Sequence, residues 1–193
     1  NHLVAEAESA KRASIVSPLI YYYDEPKKVW YAGASFNFWH GDSRHQHLNE
    51  IDKGQFKEVT NTGYGSGCAM LVRKEVFDRI GLLDPYFFLY YEESDFCIRA
   101  KRQGYAIKVA PKAKIWHKVS ASIKKGSPLM IRQNVRNRLI FMRKNARWYH
   151  WPSFAAFYLA ELAALVTYKL LKSDSAAAKA AILGFAQGIR YRK

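Results

Sequence analysis

The chain's 193 residues, 49% hydrophobic and 15% aromatic, suffice for one packed domain or part of a larger one and exclude a disordered polypeptide. Its net charge of +15 implies an anionic partner: nucleic acid, a phosphorylated donor or an acidic membrane surface. No Cys/His spacing suits zinc, no secretory signal opens the sequence and no uninterrupted apolar run reads as long enough to cross a bilayer, so a cytoplasmic setting is expected.

Residues 1–13 have helical character, with Leu3, Ala7 and Ala10 on one face. Residues 14–23 read as a strand broken at Pro18 and ended by the turn Asp24-Glu25-Pro26. Residues 28–36 form another extended segment, and 40–60 are polar and irregular. His40, His45 and His47 fall there with a spacing that fits no common metal motif. Residues 63–72 begin with three alternating glycines and end apolar, the pattern of a tight turn entering a buried strand. The loop lacks both the Walker lysine and the dinucleotide glycine spacing. A short helix, 74–80, stops at Gly81.

The stretch Asp84-Pro85-Tyr86-Phe87-Phe88-Leu89-Tyr90-Tyr91-Glu92-Glu93-Ser94-Asp95 leads aromatic residues into three carboxylates that open a helix. Arg99, four residues after Asp95, is placed to pair with it. Partial desolvation beside Tyr90 and Tyr91 would raise a carboxyl pKa, which is how a general base is tuned. Gly104 ends this helix, 105–110 reads as a strand broken by Pro111, and 113–117 as a further short strand ending at His117. Residues 129–145 form a long basic helix. From Phe96 to Ala160 there are fifteen Lys and Arg and no Asp or Glu, so the excess charge is one continuous block. Residues 151–171 and 175–192 are helical, the first interrupted by Glu161 and Lys169 and led by Trp148 and Trp151. That mixture of aromatic and basic residues suits an amphipathic helix at a membrane interface. Cys68 and Cys97 lie in apolar segments and read as reduced core residues.

Taken as a set, Gly67-Cys68-Ala69-Met70-Leu71-Val72, Gly81-Leu82-Leu83-Asp84, Tyr90-Tyr91-Glu92-Glu93-Ser94-Asp95, Gly104-Tyr105, Pro111 with Ala113, and His117 resemble the second half of a family-2 glycosyltransferase of the rhamnosyltransferase-like branch. The resemblance implies an α/β fold: the C-terminal part of a GT-A-type mixed sheet with flanking helices, followed by C-terminal amphipathic helices. It divides the chain into an acceptor-side part, 1–147, and a helical tail, 148–193. It also implies inverting transfer of a hexosyl or rhamnosyl group from a nucleotide diphosphate donor to an acceptor hydroxyl, in cell-surface polysaccharide or glycoconjugate synthesis.

Carried onto this sequence, Glu93 is the base and Asp95 orients the site or pairs with Arg99. Gly67, Cys68, Tyr91, Glu92, Arg136 and Asn137 contact substrate, and His117 joins a Mg2+ or Mn2+ shell. Glu93 is one methylene longer than the Asp of many relatives. The family's nucleotide-binding half and its Asp-x-Asp have no counterpart here, so a fragment without activity of its own is expected, completed by dimerisation or by the absent half. Partners are then a nucleotide sugar, a saccharide or lipid-linked acceptor and the inner face of the cell membrane, without nucleic acid. The competing reading is a non-catalytic basic module on a membrane surface or nucleic acid, for which the clustered carboxylates have no use.

Overall fold

The structure, a computed structural model, describes residues 2–9, 13–119 and 124–191. It is a mixed α/β fold with helices flanking the sheet, as the sequence leads one to expect. The chain divides into two compact units: Asn1–Phe36, Ser43–Pro85 and Glu92–Val119 in the first, Asn37–Asp42, Tyr86–Tyr91 and Ser120–Lys193 in the second.

In the first unit, α1 (His2–Ser9) precedes the central strand β1 (Ala13–Tyr22). Strand β1 pairs antiparallel with β2 (Val29–Tyr31) near its end and with β6 (Leu71–Val72) near its start. On its other side it runs parallel to β7 (Ala106–His117), which carries β5 (Thr60–Asn61) at the far edge. Strands β3 (Ala34–Asn37) and β4 (Asp42–His45) form a separate two-stranded ribbon.

Both prolines expected to break strands lie inside them. Pro18 opposes Ala110, and the next rung joins Leu19 to Lys114, so residues 111–113 loop out of the ladder as a bulge that takes up Pro111. On the antiparallel side, Pro18 falls between the rungs at Val16 and Ile20, where neither β6 nor β2 is paired to it. Neither ring therefore costs the ladder a rung.

The core of this unit joins Ile15, Ile20, Tyr31, Tyr64, Val76, Phe96, Cys97, Ile107 and Val109. Helix α2 (Lys74–Ile80) ends at Gly81 with φ 77°, and α3 (Glu92–Arg102) buries Phe96, Cys97 and Ala100 against the sheet. Cys97 is in the core as expected; Cys68 lies on an exposed loop with its thiol partly covered.

The second unit is helical: α4 (Pro128–Asn145), a 3-10 turn (Trp148–His150), α5 (Trp151–Leu171) and α6 (Ser175–Arg190). Helix α4 starts at Ser127, whose hydroxyl accepts from Met130 N at 3.3 Å, with Pro128 in the first turn. Helix α6 lays a stripe of Ala177, Ala181, Gly184 and Gly188 on α4, the small residues letting the backbones approach. A Cβ on Gly184 would stand 2.5 Å from the Arg132 carbonyl oxygen. Gly184→Val should therefore part the two helices and cost about 1–3 kcal/mol, read as a lower thermal midpoint.

The 3-10 turn and α5 together, Trp148–Leu171, 24 residues, are long and apolar enough to cross a membrane, by length and composition only. Read along the sequence, Glu161 and Lys169 interrupt the run; the structure carries the helix through both.

Candidate functional site

The glycine loop is built for close packing. A Cβ on Gly63 would sit 2.6 Å from the Ala34 carbonyl oxygen, and one on Gly65 would sit 2.6 Å from Ser17 Oγ. Gly63 N donates to Ala34 O at 2.7 Å, Gly65 N to Cys97 Sγ at 3.3 Å and Ser66 N to Ser17 Oγ at 3.2 Å. Thr62 Oγ1 and Tyr31 OH both donate to Tyr64 O, at 3.1 and 2.6 Å. The glycines thus seat the loop on β1 and β3, and the amides of Gly63, Gly65 and Ser66 are committed within the protein.

That seating brings Gly67 onto Glu93. A Cβ on Gly67 would meet the Glu93 side chain at 3.5–3.7 Å, ordinary contact. Glu93 stands in the first turn of α3, where the helix dipole favours the charged form. Burial outweighs the dipole, and with the adjacent charge of Glu92 it pushes the Glu93 carboxyl up to about 7. Ser94 Oγ, at 3.5 Å, gives only a weak bond in return. Burial raises Glu92 as well, and its Oε2 is buried without a hydrogen-bond partner among the described residues.

One neighbour of Glu93, Tyr64, was not among the residues the sequence pointed to. The Tyr64 hydroxyl is pushed up to about 12, mainly by burial, with a hydrogen bond to Ser43 working against it and the Glu93 charge adding to it. Tyr64 stands between two of the loop glycines, which was the available signal; Ser43, on the ribbon, offered none. The Cys68 thiol, bonded to Ser66 Oγ at 3.2 Å, is raised by burial and, to a lesser degree, by Glu93.

Asp95 is wholly buried and accepts from Arg99 Nε at 2.8 Å. Arg99 also donates to the carbonyls of Ile80 and Leu82, at 2.6 and 2.9 Å, closing the end of α2. The expected four-residue pair is formed, and its further bonds tie α3 to α2.

His117 ends β7 beside Tyr22 of β1. Its ring meets Trp30 at 4.8 Å, and His45 meets Trp30 at 4.9 Å while its Nδ1 bonds the Trp30 carbonyl. Burial lowers the pKa of both histidines. Among the described residues no three His, Cys, Asp or Glu side chains come together as a metal set. His117 could supply one ligand, and these residues alone do not make a metal centre.

Arg136, Asn137 and Tyr91 belong to the second unit. Asn137, fully buried, donates through Nδ2 to the carbonyls of Phe87, Leu89 and Tyr90 at 2.7–2.9 Å. Arg136 donates to Asn137 Oδ1 at 2.8 Å and to the carbonyls of Tyr86 and Phe87 at 2.6 and 3.1 Å. The clamp holds a strained turn: Phe88, Tyr90 and Tyr91 have φ of 61°, 67° and 74°. Left-handed backbone at a bulky residue costs about 1 kcal/mol or more each time and persists only where its surroundings enforce it. The residue after Tyr91 in the chain is Glu92. Tyr91 also lines a cavity of about 330 Å³ with Asn134, Val135, Arg138, Tyr158 and Glu161.

Comparison with known proteins bears on this arrangement. No family model matches the chain. Over 51 residues it is 43% identical to the low-salt glycan biosynthesis hexosyltransferase Agl10 of Haloferax volcanii, covering 26% of this chain and 17% of that protein. Over 103 residues it is 27% identical to the dTDP-rhamnosyl transferase RfbF of Shigella flexneri, covering 49% of this chain and 34% of that protein. The chain therefore spans at most about a third of the length of these relatives, and part of it is similar to glycosyltransferases.

Proposed function

We propose that this chain is the acceptor-side part of an inverting glycosyltransferase of family 2, moving a hexosyl or rhamnosyl group from a nucleotide diphosphate donor to an acceptor hydroxyl in polysaccharide or glycoconjugate synthesis. The observation that carries the reading is Glu93, a carboxyl raised to about 7 by burial against a glycine loop. A base of that pKa is half ionised near neutrality and takes a hydroxyl proton with little mismatch. The partial similarity to two sugar transferases supports the same class and does not favour a non-catalytic basic module.

In the proposed reaction Glu93 takes the proton of the acceptor hydroxyl. The oxygen forms its bond to the anomeric carbon as the bond to the leaving diphosphate breaks on the opposite face, and the diphosphate departs with the electron pair. The unpartnered Glu92 Oε2 would accept from a neighbouring acceptor hydroxyl. Arg136 and Asn137 act as positioning residues through the turn they clamp. Mg2+ or Mn2+ would neutralise the diphosphate, with His117 as this chain's one ligand and the others from beyond these residues.

The test is transfer by the full-length gene product against a panel of nucleotide sugars, rhamnosyl and hexosyl donors included. Release of nucleoside diphosphate with inversion at the anomeric carbon supports the reading. A product of retained configuration removes the mechanism, and a gene without a nucleotide-binding half removes the activity.

A further inference from the structure

Helix α5 presents a surface that nothing among the described residues of the second unit covers. Between Ala156 and Leu171 every exposed position except Glu161 carries Ala, Leu, Phe, Tyr or Thr, and the exposed positions extend over more than half of the helix circumference. Leu159, Tyr168 and Leu171 are 51%, 56% and 80% exposed. A helix apolar on nearly every side belongs in a protein core or in lipid, and little of this one lies within its own unit.

The ends carry the groups that favour a membrane boundary. At the start, Trp148 stands exposed after Arg147, and Trp39 packs on His150 at 5.0 Å. At the finish, Tyr168 is followed by Lys172. Aromatic rings and basic side chains at such positions sit at headgroup level. The charge of the whole unit agrees: it holds fourteen of the chain's 31 Lys and Arg and three of its 16 Asp and Glu.

The helix is long enough to span, yet its packing opposes that placement. Tyr158 OH donates to the Val135 carbonyl at 2.8 Å, and Glu161 is ion-paired with Arg138, so the middle of α5 is fastened along α4. Helix α4 carries Arg132, Arg136, Arg138, Arg143 and Lys144, and drawing these through hydrocarbon is prohibitive. We propose that the second unit docks on an anionic bilayer surface with α5 lying in the plane of the interface, its apolar side sunk among the acyl chains and its basic neighbours at the headgroups.

The test is sedimentation of the 193-residue chain with vesicles of phosphatidylcholine alone and of phosphatidylcholine with phosphatidylglycerol in equal parts. Binding is expected to the anionic vesicles and to be released by alkaline carbonate. Leu159→Glu with Ala163→Glu should weaken it at least about tenfold with the thermal midpoint unchanged, since a charge is costly at the apolar boundary. Arg147→Ala with Lys172→Ala should weaken it about twenty-five-fold, each basic residue at such a surface contributing a factor of about five.

Retention after carbonate would overturn the in-plane placement in favour of a spanning helix. A dimer in light scattering that the double Glu variant dissociates, without vesicle binding, would assign the face to a second copy. Absence of both, or full binding by the double Glu variant, would overturn the proposal. None of these readouts involves sugar transfer, so failure here leaves the role of Glu93 untouched.

Discussion

Glu93→Gln is expected to lower transfer by the full-length protein at least about a hundredfold, the usual contribution of a positioned general base. The amide keeps the shape and the packing against Gly67 but cannot take the proton. For the unsubstituted enzyme, kcat/KM should rise with pH and level off above about 7, as the buried carboxyl ionises; in Glu93→Gln this limb should vanish.

The same substitution should stabilise the fold. The free carboxyl titrates at 4.5 and the folded one at about 7. Between those values the folded state holds a proton that the unfolded chain has lost, so the contribution of this group to stability declines as pH rises through that window. Above it the loss amounts to about 3 kcal/mol, a unit of pKa being worth about 1.4 kcal/mol. Glu93→Gln should accordingly melt higher than the parent at pH 8 and level with it at pH 4. Lost activity with a higher melting point would mark a residue held at the expense of stability. Lost activity with a lower melting point would mark a structural residue and sink the assignment.

Asn137→Ala should have the second large effect. It removes the donors to the carbonyls of Phe87, Leu89 and Tyr90, leaving polar groups unsatisfied beside a turn in left-handed conformation. The cost is about 3 kcal/mol or more, at about 1–3 kcal/mol for each orphaned group. In a chain of this size that lowers the thermal midpoint by about 6–12 °C. Asn137→Asp separates the causes. The carboxylate fills the same volume but turns an acceptor toward three carbonyls, so it should be at least as damaging as Ala if the hydrogen bonds matter. A nearly neutral Asn137→Asp would reduce Asn137 to packing. Kinetically, either variant should lower kcat more than it raises KM, because it disturbs the placement of the base rather than a bond to substrate.

Much of the local structure was legible because its causes lie within one helical turn. Gly81 and Gly104 at helix ends and the three carboxylates opening α3 are each decided by neighbours a few residues away, and each is where the sequence puts it. The pairing of Asp95 with Arg99 follows from the same helical spacing. The carboxylate cluster was therefore visible as the candidate site from the order of its residues alone.

What only the tertiary structure decided depends on groups far apart in the chain. Whether a proline breaks a strand depends on whether its missing N–H would have had a partner, and the bulge at Pro18 and Ala110 answers that across 92 positions of sequence. The elevation of Glu93 comes from desolvation, which depends on what covers the carboxyl: the loop of Gly67, and Tyr64 beside it. Asn137 read as a substrate contact, while its donors are taken by a turn about fifty residues earlier. The sequence already offered 151–171 as an interfacial helix; which side of α5 stays uncovered was decided by its packing on α4. A sequence records which side chains are apolar; burial is settled by the partners they find.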